Sequence, residues 1–155
     1  MSEDVESSTE IRGLLLPLSD RSLLIPNVLI AEVVETIRHV EPVHDAPSWL
    51  LGVISWRELK LPLISFESAE TSYSGKYRIS YIAIINAIGG RENCKFLAIA
   101  LRGLPSAIKV DDQIDYDLSV KPEGLELSAV KLGQVQARIP DLQGLENKLA
   151  ELGLI

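Results

Sequence analysis

Asp45-Ala46-Pro47-Ser48-Trp49-Leu50-Leu51-Gly52-Val53-Ile54-Ser55-Trp56-Arg57-Glu58-Leu59-Lys60-Leu61-Pro62-Leu63-Ile64-Ser65-Phe66 decides the fold, because it sets one arginine between two apolar runs of β type. Pro47 fixes its own φ and biases Ala46 toward an extended conformation, so the chain can turn through Ser48 to Leu51 before Gly52 releases it. Val53, Ile54 and Trp56 favour a strand, Glu58 to Lys60 form a polar break, and Leu61 to Phe66 reads as the antiparallel return. The simplest product is a hairpin with Trp56 and Arg57 at its turn, a docking surface rather than a catalytic pocket.

The same pattern continues on both sides. Upstream, Leu14 to Leu18 reads as a first strand whose Pro17 suggests an edge position. Ser19-Asp20-Arg21 supplies turn chemistry, and Ser22 to Ile25 is the paired strand, ending at Pro26. Asn27 to Thr36 is compatible with a short helix, although Val28, Ile30, Val33 and Val34 are β-branched. Downstream of a polar connector from Glu67 to Tyr77, the run to Asn86 loses its alternation, as a strand entering a buried layer does. Gly89 to Asn93 turns the chain, and Lys95 to Leu101 returns as the partner in a central hairpin. Ala107 to Val110 is a further short strand, Asp111 to Asp117 a solvated acidic loop, and Val130 to Leu132 with Val135 to Ile139 a last pair around Gly133.

One segment has helical periodicity. Leu142, Leu145, Leu149 and Leu152 recur at the spacing of one helix face, with Asp141 placed to cap its start and Gly153 to end it. This helix is expected to cover an open end of the core. The reading is therefore mainly β, with residues 1–10 as a flexible acidic tail and residues 11–155 as a single domain.

Composition narrows the functional classes. Hydrophobic residues make up 46% and aromatic residues only 5%, so Leu, Ile and Val must supply most of the packing. A net charge of −7 disfavours nucleic acid and anionic lipid as partners, which require clustered Lys and Arg. Cys94 is the single cysteine, which excludes an intramolecular disulfide and any multi-cysteine zinc motif. With no basic, apolar leader and no apolar run of about 20 residues, a cytoplasmic protein without membrane insertion is expected.

Catalytic and metal chemistry finds no constellation. His39 and His44 are too far apart for one helical turn, and both read as surface histidines. Cys94 reads as a small strand-end residue in the absence of an adjacent base. A calcium loop starting at Asp111 would need Gly and Glu where Tyr116 and Pro122 stand. Gly89-Gly90 lacks the Lys and Ser or Thr of a phosphate loop. No enzyme, cofactor or metal site is expected. Arg57 differs, because a guanidinium beside Trp56 and apolar strands suits recognition of partner carboxylates. The competing reading packs Trp56 into its own barrel and pairs Arg57 with Glu32 or Glu58.

These stretches together resemble the CheW-like family, adaptors of bacterial chemosensory arrays. Ser55-Trp56-Arg57-Glu58 keeps the arginine of the family's N-L-R-G turn, with Ser55 for the asparagine and Glu58 for the glycine, and Leu24 to Val34 is similar to its apolar-P-x-x-x-V-x-E-I segment. The resemblance implies a pair of interleaved five-stranded SH3-like barrels with a C-terminal helix. It implies a non-enzymatic scaffold that couples methyl-accepting chemoreceptors to a CheA-like histidine kinase. Ile30, Glu32, Trp56 and Arg57 are then the receptor-binding candidates, facing a receptor's helical hairpin tip. Leu14, Leu16, Leu61 and Leu63 are the kinase-binding candidates, and other CheW-like adaptors are further partners. The Trp-Arg-Glu turn, acidic balance and C-terminal helix resemble members attached to type IV pilus systems, implying twitching motility. The alternatives are a small-molecule-binding β-barrel, which would need a pocket with convergent polar groups, and a structural subunit that joins copies of itself.

Overall fold

The central hairpin organises the chain, as its uninterrupted apolar runs predict. In the computed structural model, which describes residues 11–35, 39–67, 79–110 and 114–155, β6 (Tyr81–Asn86) and β7 (Phe96–Leu101) pair antiparallel from Tyr81↔Leu101 to Asn86↔Phe96. Ile82, Ile84, Ala98 and Ala100 are buried on one face, and Ala83, Ile85, Leu97, Ile99 and Leu101 on the other. A strand covered on both sides has no reason to alternate.

Three more strands complete this sheet in the order β3-β6-β7-β5-β4, with β3 Ile30–Val34, β4 Leu50–Trp56 and β5 Leu59–Ile64. Past β3, Glu41 exchanges two backbone hydrogen bonds of 2.8 Å with Val53 of β4, so the far edges meet. The sheet thereby closes into a barrel. Gly52, at φ +148°, stands where a side chain would strike the Glu41 carbonyl. The closure thus explains the glycine that the sequence had suggested as the end of a turn.

The other sheet has the order β8-β1-β2-β11-β10-β9. Its strands are β1 Ile11–Pro17, β2 Ser22–Pro26, β8 Ser106–Val110, β9 Ile114–Tyr116, β10 Glu126–Leu132 and β11 Val135–Pro140. Ile108 and Ile114, from the two edge strands, pack on the same cluster as Leu24, Val130 and Ala137, so this sheet too curls around an interior. The closed sheet is inserted whole between β2 and β8. Three cores result: one inside each curled sheet, and a shared one between them, where Leu16, Leu23 and Ile25 meet Ile64, Ile85, Leu97 and Ile99.

Several expectations need correction. The sheet that holds β1 has six strands rather than five, because Ile114–Tyr116 of the presumed acidic loop pairs with β10. Asp117 at its end is only 8% exposed at its side chain and accepts from Ser119 Oγ (2.5 Å) and from the Ser119 amide (3.2 Å). Those bonds, with Lys131 nearby, hold its carboxyl below the usual range. Pro17 is not on an edge strand: β1 lies between β2 and β8, and Pro17 is its last residue, beyond the Ile11 to Leu15 pairing with β8. Where the sequence is compatible with a short helix, Asn27–Leu29 is a 3₁₀ turn and Ile30–Val34 continues as β3, while residue 36 lies outside the described residues. The polar break between β4 and β5 is confined to Arg57 and Glu58, since Leu59 and Lys60 pair with Trp56 and Ser55. The proposed tail, residues 68–78 of the connector region and residues 111–113 lie outside the described residues.

The helix forms as its pattern requires. In α1 (Leu142–Glu151) the Asp141 carboxylate accepts from the Gly144 amide at 3.0 Å, and Gly153 at φ +77° follows the end. Leu142, Leu145 and Leu149 enter the shared core, whereas Leu152 lies past the last turn and is 46% exposed. Glu146 is fully buried on the same face and accepts from the amides of Ile88 and Gly89 in the β6–β7 loop.

Candidate partner-docking site

Trp56 and Arg57 meet Glu32 at one pole of the closed barrel, although the residues are separated by 24 and 25 positions in sequence. Trp56 ends β4 facing the barrel interior, where its ring meets Phe96 edge-on at 4.8 Å. Its indole N–H donates to Glu32 Oε2 at 3.2 Å, and Arg57 Nη2 donates to Glu32 Oε1 at 2.9 Å. The Arg57 guanidinium also lies 4.8 Å from the centre of the Trp56 ring. One carboxylate thus orients two side chains. Arg57 remains 68% exposed and Glu32 33% exposed, so the corner is ordered yet accessible.

The turn itself is unusual in composition. Trp56 pairs with Leu59, which leaves a two-residue connection, and Arg57 (φ 46°) and Glu58 (φ 66°) are both left-handed. Such hairpin turns favour Asn-Gly because side chains resist positive φ. The chain accepts that cost at two successive residues.

Ile30, expected beside Glu32, is elsewhere. Strand periodicity would place residues 30 and 32 on one face, but the register steps from Ile30↔Ile85 to Glu32↔Ile84, a bulge that inserts one residue. Ile30 therefore follows Ile85 onto the shared core, while Glu32 follows Ile84 to the side of the closed barrel. The leucines expected to meet a kinase are corrected too. Leu16 and Leu63 are fully buried and Leu61 is 4% exposed, so they fill cores and offer no surface. Leu14 is half-buried against the shared core.

The model of the CheW-like domain family matches residues 12–148. This chain belongs to the CheW-like family. A solved structure of similar fold is the scaffolding protein TtCheW from Thermoanaerobacter tengcongensis, with a TM-score of 0.64 and 16% identity, covering 85% of this chain and 84% of that one. At that identity the likeness concerns the fold. No curated protein matches the chain.

Other groups of this CheW-like chain have structural surroundings. His44 is 95% exposed beside Asp45, and His39 is exposed. Among the described residues no three His, Cys, Asp or Glu side chains gather as a metal site, and no helix is long and apolar enough to cross a membrane. Cys94 is buried, and burial, helped by the nearby Glu146 charge, pushes its thiol pKa up. The unfolded thiol ionises first as pH rises, so the contribution to stability is complete below the ordinary thiol range and is lost above it. Iodoacetamide is expected to label Cys94 roughly a hundredfold more slowly in the folded than in the denatured chain, because labelling awaits local opening. Equal rates measured by mass spectrometry would contradict the burial.

Three buried carboxylates escaped sequence reading. Besides Glu146, Glu67 accepts from the Ser19 amide (3.0 Å), from Ser19 Oγ and from Arg102 Nε (3.2 Å), joining the two sheets. Glu126 accepts from Arg21 Nη1 (2.5 Å) and Arg138 Nη1 (2.7 Å). Each partner is far away in sequence or on a neighbouring strand, so no local motif announces it. Phe96 was missed for the same reason.

Proposed function

We propose that this CheW-like chain is a non-enzymatic adaptor that joins chemoreceptors to a CheA-like histidine kinase, with residues 11–155 acting as one unit. The observation that carries the reading is the exposed Arg57, set beside the half-buried Trp56 and held in one geometry by Glu32. Trp and Arg supply much of the binding energy of protein interfaces, and a preset guanidinium loses little freedom on binding. Family membership supports the scaffold role, and the similar fold of a protein described as scaffolding agrees with it. Adaptor function then consists in differential affinity: contacts with receptor or kinase must differ between signalling states. We assign the receptor side to Glu32, Trp56 and Arg57, and propose pilus-driven twitching motility as the output.

Arg57→Ala is the direct test. The Arg57–Glu32 pair is exposed enough that its loss should change stability by less than about 1 kcal/mol. Affinity for a soluble chemoreceptor tip fragment should fall roughly tenfold in a titration. Unchanged affinity with the fold preserved removes Arg57 from the site.

A further inference from the structure

The β4–β5 turn holds a residue that the fold does not use. Glu58 lies at φ 66°, where glycine is unstrained and any side chain is disfavoured. Its carboxylate has no hydrogen bond or ion pair among the described residues, unlike its neighbour Arg57. It is exposed, and Leu59, 42% exposed, follows it. A strained residue without a structural partner, on the turn that displays the docking corner, points to a contact outside the chain.

Charge indicates what that contact is. Glu32 already occupies Arg57, so the corner presents two carboxylates against one guanidinium. A partner carboxylate aimed here would meet Glu58 at close range. Glu58 is free to meet a cation, while Arg57, oriented by Trp56 and Glu32, keeps its exposed N–H groups for a separate contact.

We propose that Glu58 determines partner specificity by pairing with a lysine or arginine on the chemoreceptor hairpin tip, an inference that rests on the adaptor reading above. The turn is selective for a basic contact at Glu58, with Leu59 giving apolar support beside the charge. The energy lost to positive φ at the turn is offset only in the complex.

Two variants separate charge from strain. Glu58→Gln keeps the side chain at positive φ and removes the charge, whereas Glu58→Gly removes both. In titrations of the full chain with a soluble chemoreceptor tip fragment at low and high salt, each variant should bind roughly tenfold more weakly than wild type and with a shallower salt dependence. Thermal melting of the free protein should rise by about 3 °C for Glu58→Gly and stay unchanged for Glu58→Gln. Wild-type affinity in either variant overturns the proposal, as does a lowered melting temperature for Glu58→Gly, which would give the carboxylate a role in the fold. Weakening by Arg57→Ala without weakening by either Glu58 variant defeats this inference alone. A wild-type chain that binds neither receptor fragment nor kinase defeats the adaptor reading and this inference with it.

Discussion

Glu146→Ala is expected to lower stability by about 3 kcal/mol, an effect comparable with deleting a core leucine side chain. The carboxylate is fully buried and receives the Ile88 amide at 2.8 Å, the Gly89 amide at 3.1 Å and Arg91 Nη1 at 3.3 Å. Alanine leaves those donors without their acceptor and opens a space beside Leu145 and Leu149 in the shared core. For a chain of this length the melting temperature should fall by roughly 6–12 °C. Hydrogen exchange adds a spatial test. Amides of α1 and of the β6–β7 loop should lose protection together, because one side chain joins them. Loss confined to the helix, or a melting point within a degree of wild type, would show that the leucine stripe alone holds the helix.

A second large effect is expected at Glu126. Its side chain is 3% exposed and lies between Arg21 and Arg138, whose side chains are 12% and 17% exposed. Arg21 also reaches Asp20 and Glu123, whereas Arg138 has Glu126 as its ion-pair partner among the described residues. Burial works against the Arg21 charge, but hydrogen bonds to Asp20 and Glu126 outweigh it and raise its pKa, so Arg21 stays charged at any ordinary pH. Glu126→Ala should cost about 3–4 kcal/mol, because Arg138 loses its ion-pair partner and Arg21 loses the buried one of its three. Glu126→Gln, which retains hydrogen-bond acceptance, should cost less. Urea unfolding of both variants measures the difference, and equal stabilities would assign the whole effect to the charge, which both variants remove, rather than to shape or hydrogen bonding.

Neither carboxylate touches the Glu32–Trp56–Arg57 corner. Receptor affinity per folded molecule should therefore survive both substitutions, in contrast to Arg57→Ala. The two kinds of variant separate what holds the barrels from what the barrels display.

How legible the molecule was depended on the range of each interaction. The α1 leucines, the Asp141 cap and Gly153 act within a few residues, so their spacing predicts the helix with its start and stop. The β4–β5 and β6–β7 hairpins are also local, and apolar runs separated by turn residues place them. The acidic run was misleading because composition outweighed pattern: Ile114 and Tyr116 alternate like a strand, and β10 supplies the partner. Family resemblance, rather than periodicity, led to Glu32.

By itself, then, the order of residues determined a β-rich chain with a C-terminal helix, a tryptophan–arginine turn and no recognisable catalytic constellation. Tertiary structure alone decided which side chains share a site. Closure of the five-stranded sheet carries Glu32 to Trp56 and Arg57, and a single inserted residue in β3 sends Ile30 to another core. It also turned Leu16, Leu61 and Leu63 from expected contacts into packing. The physical reason is that a strand's alternation says which residues share a face, whereas bulges, register and curvature say what each face meets. Those arise from pairing between distant segments.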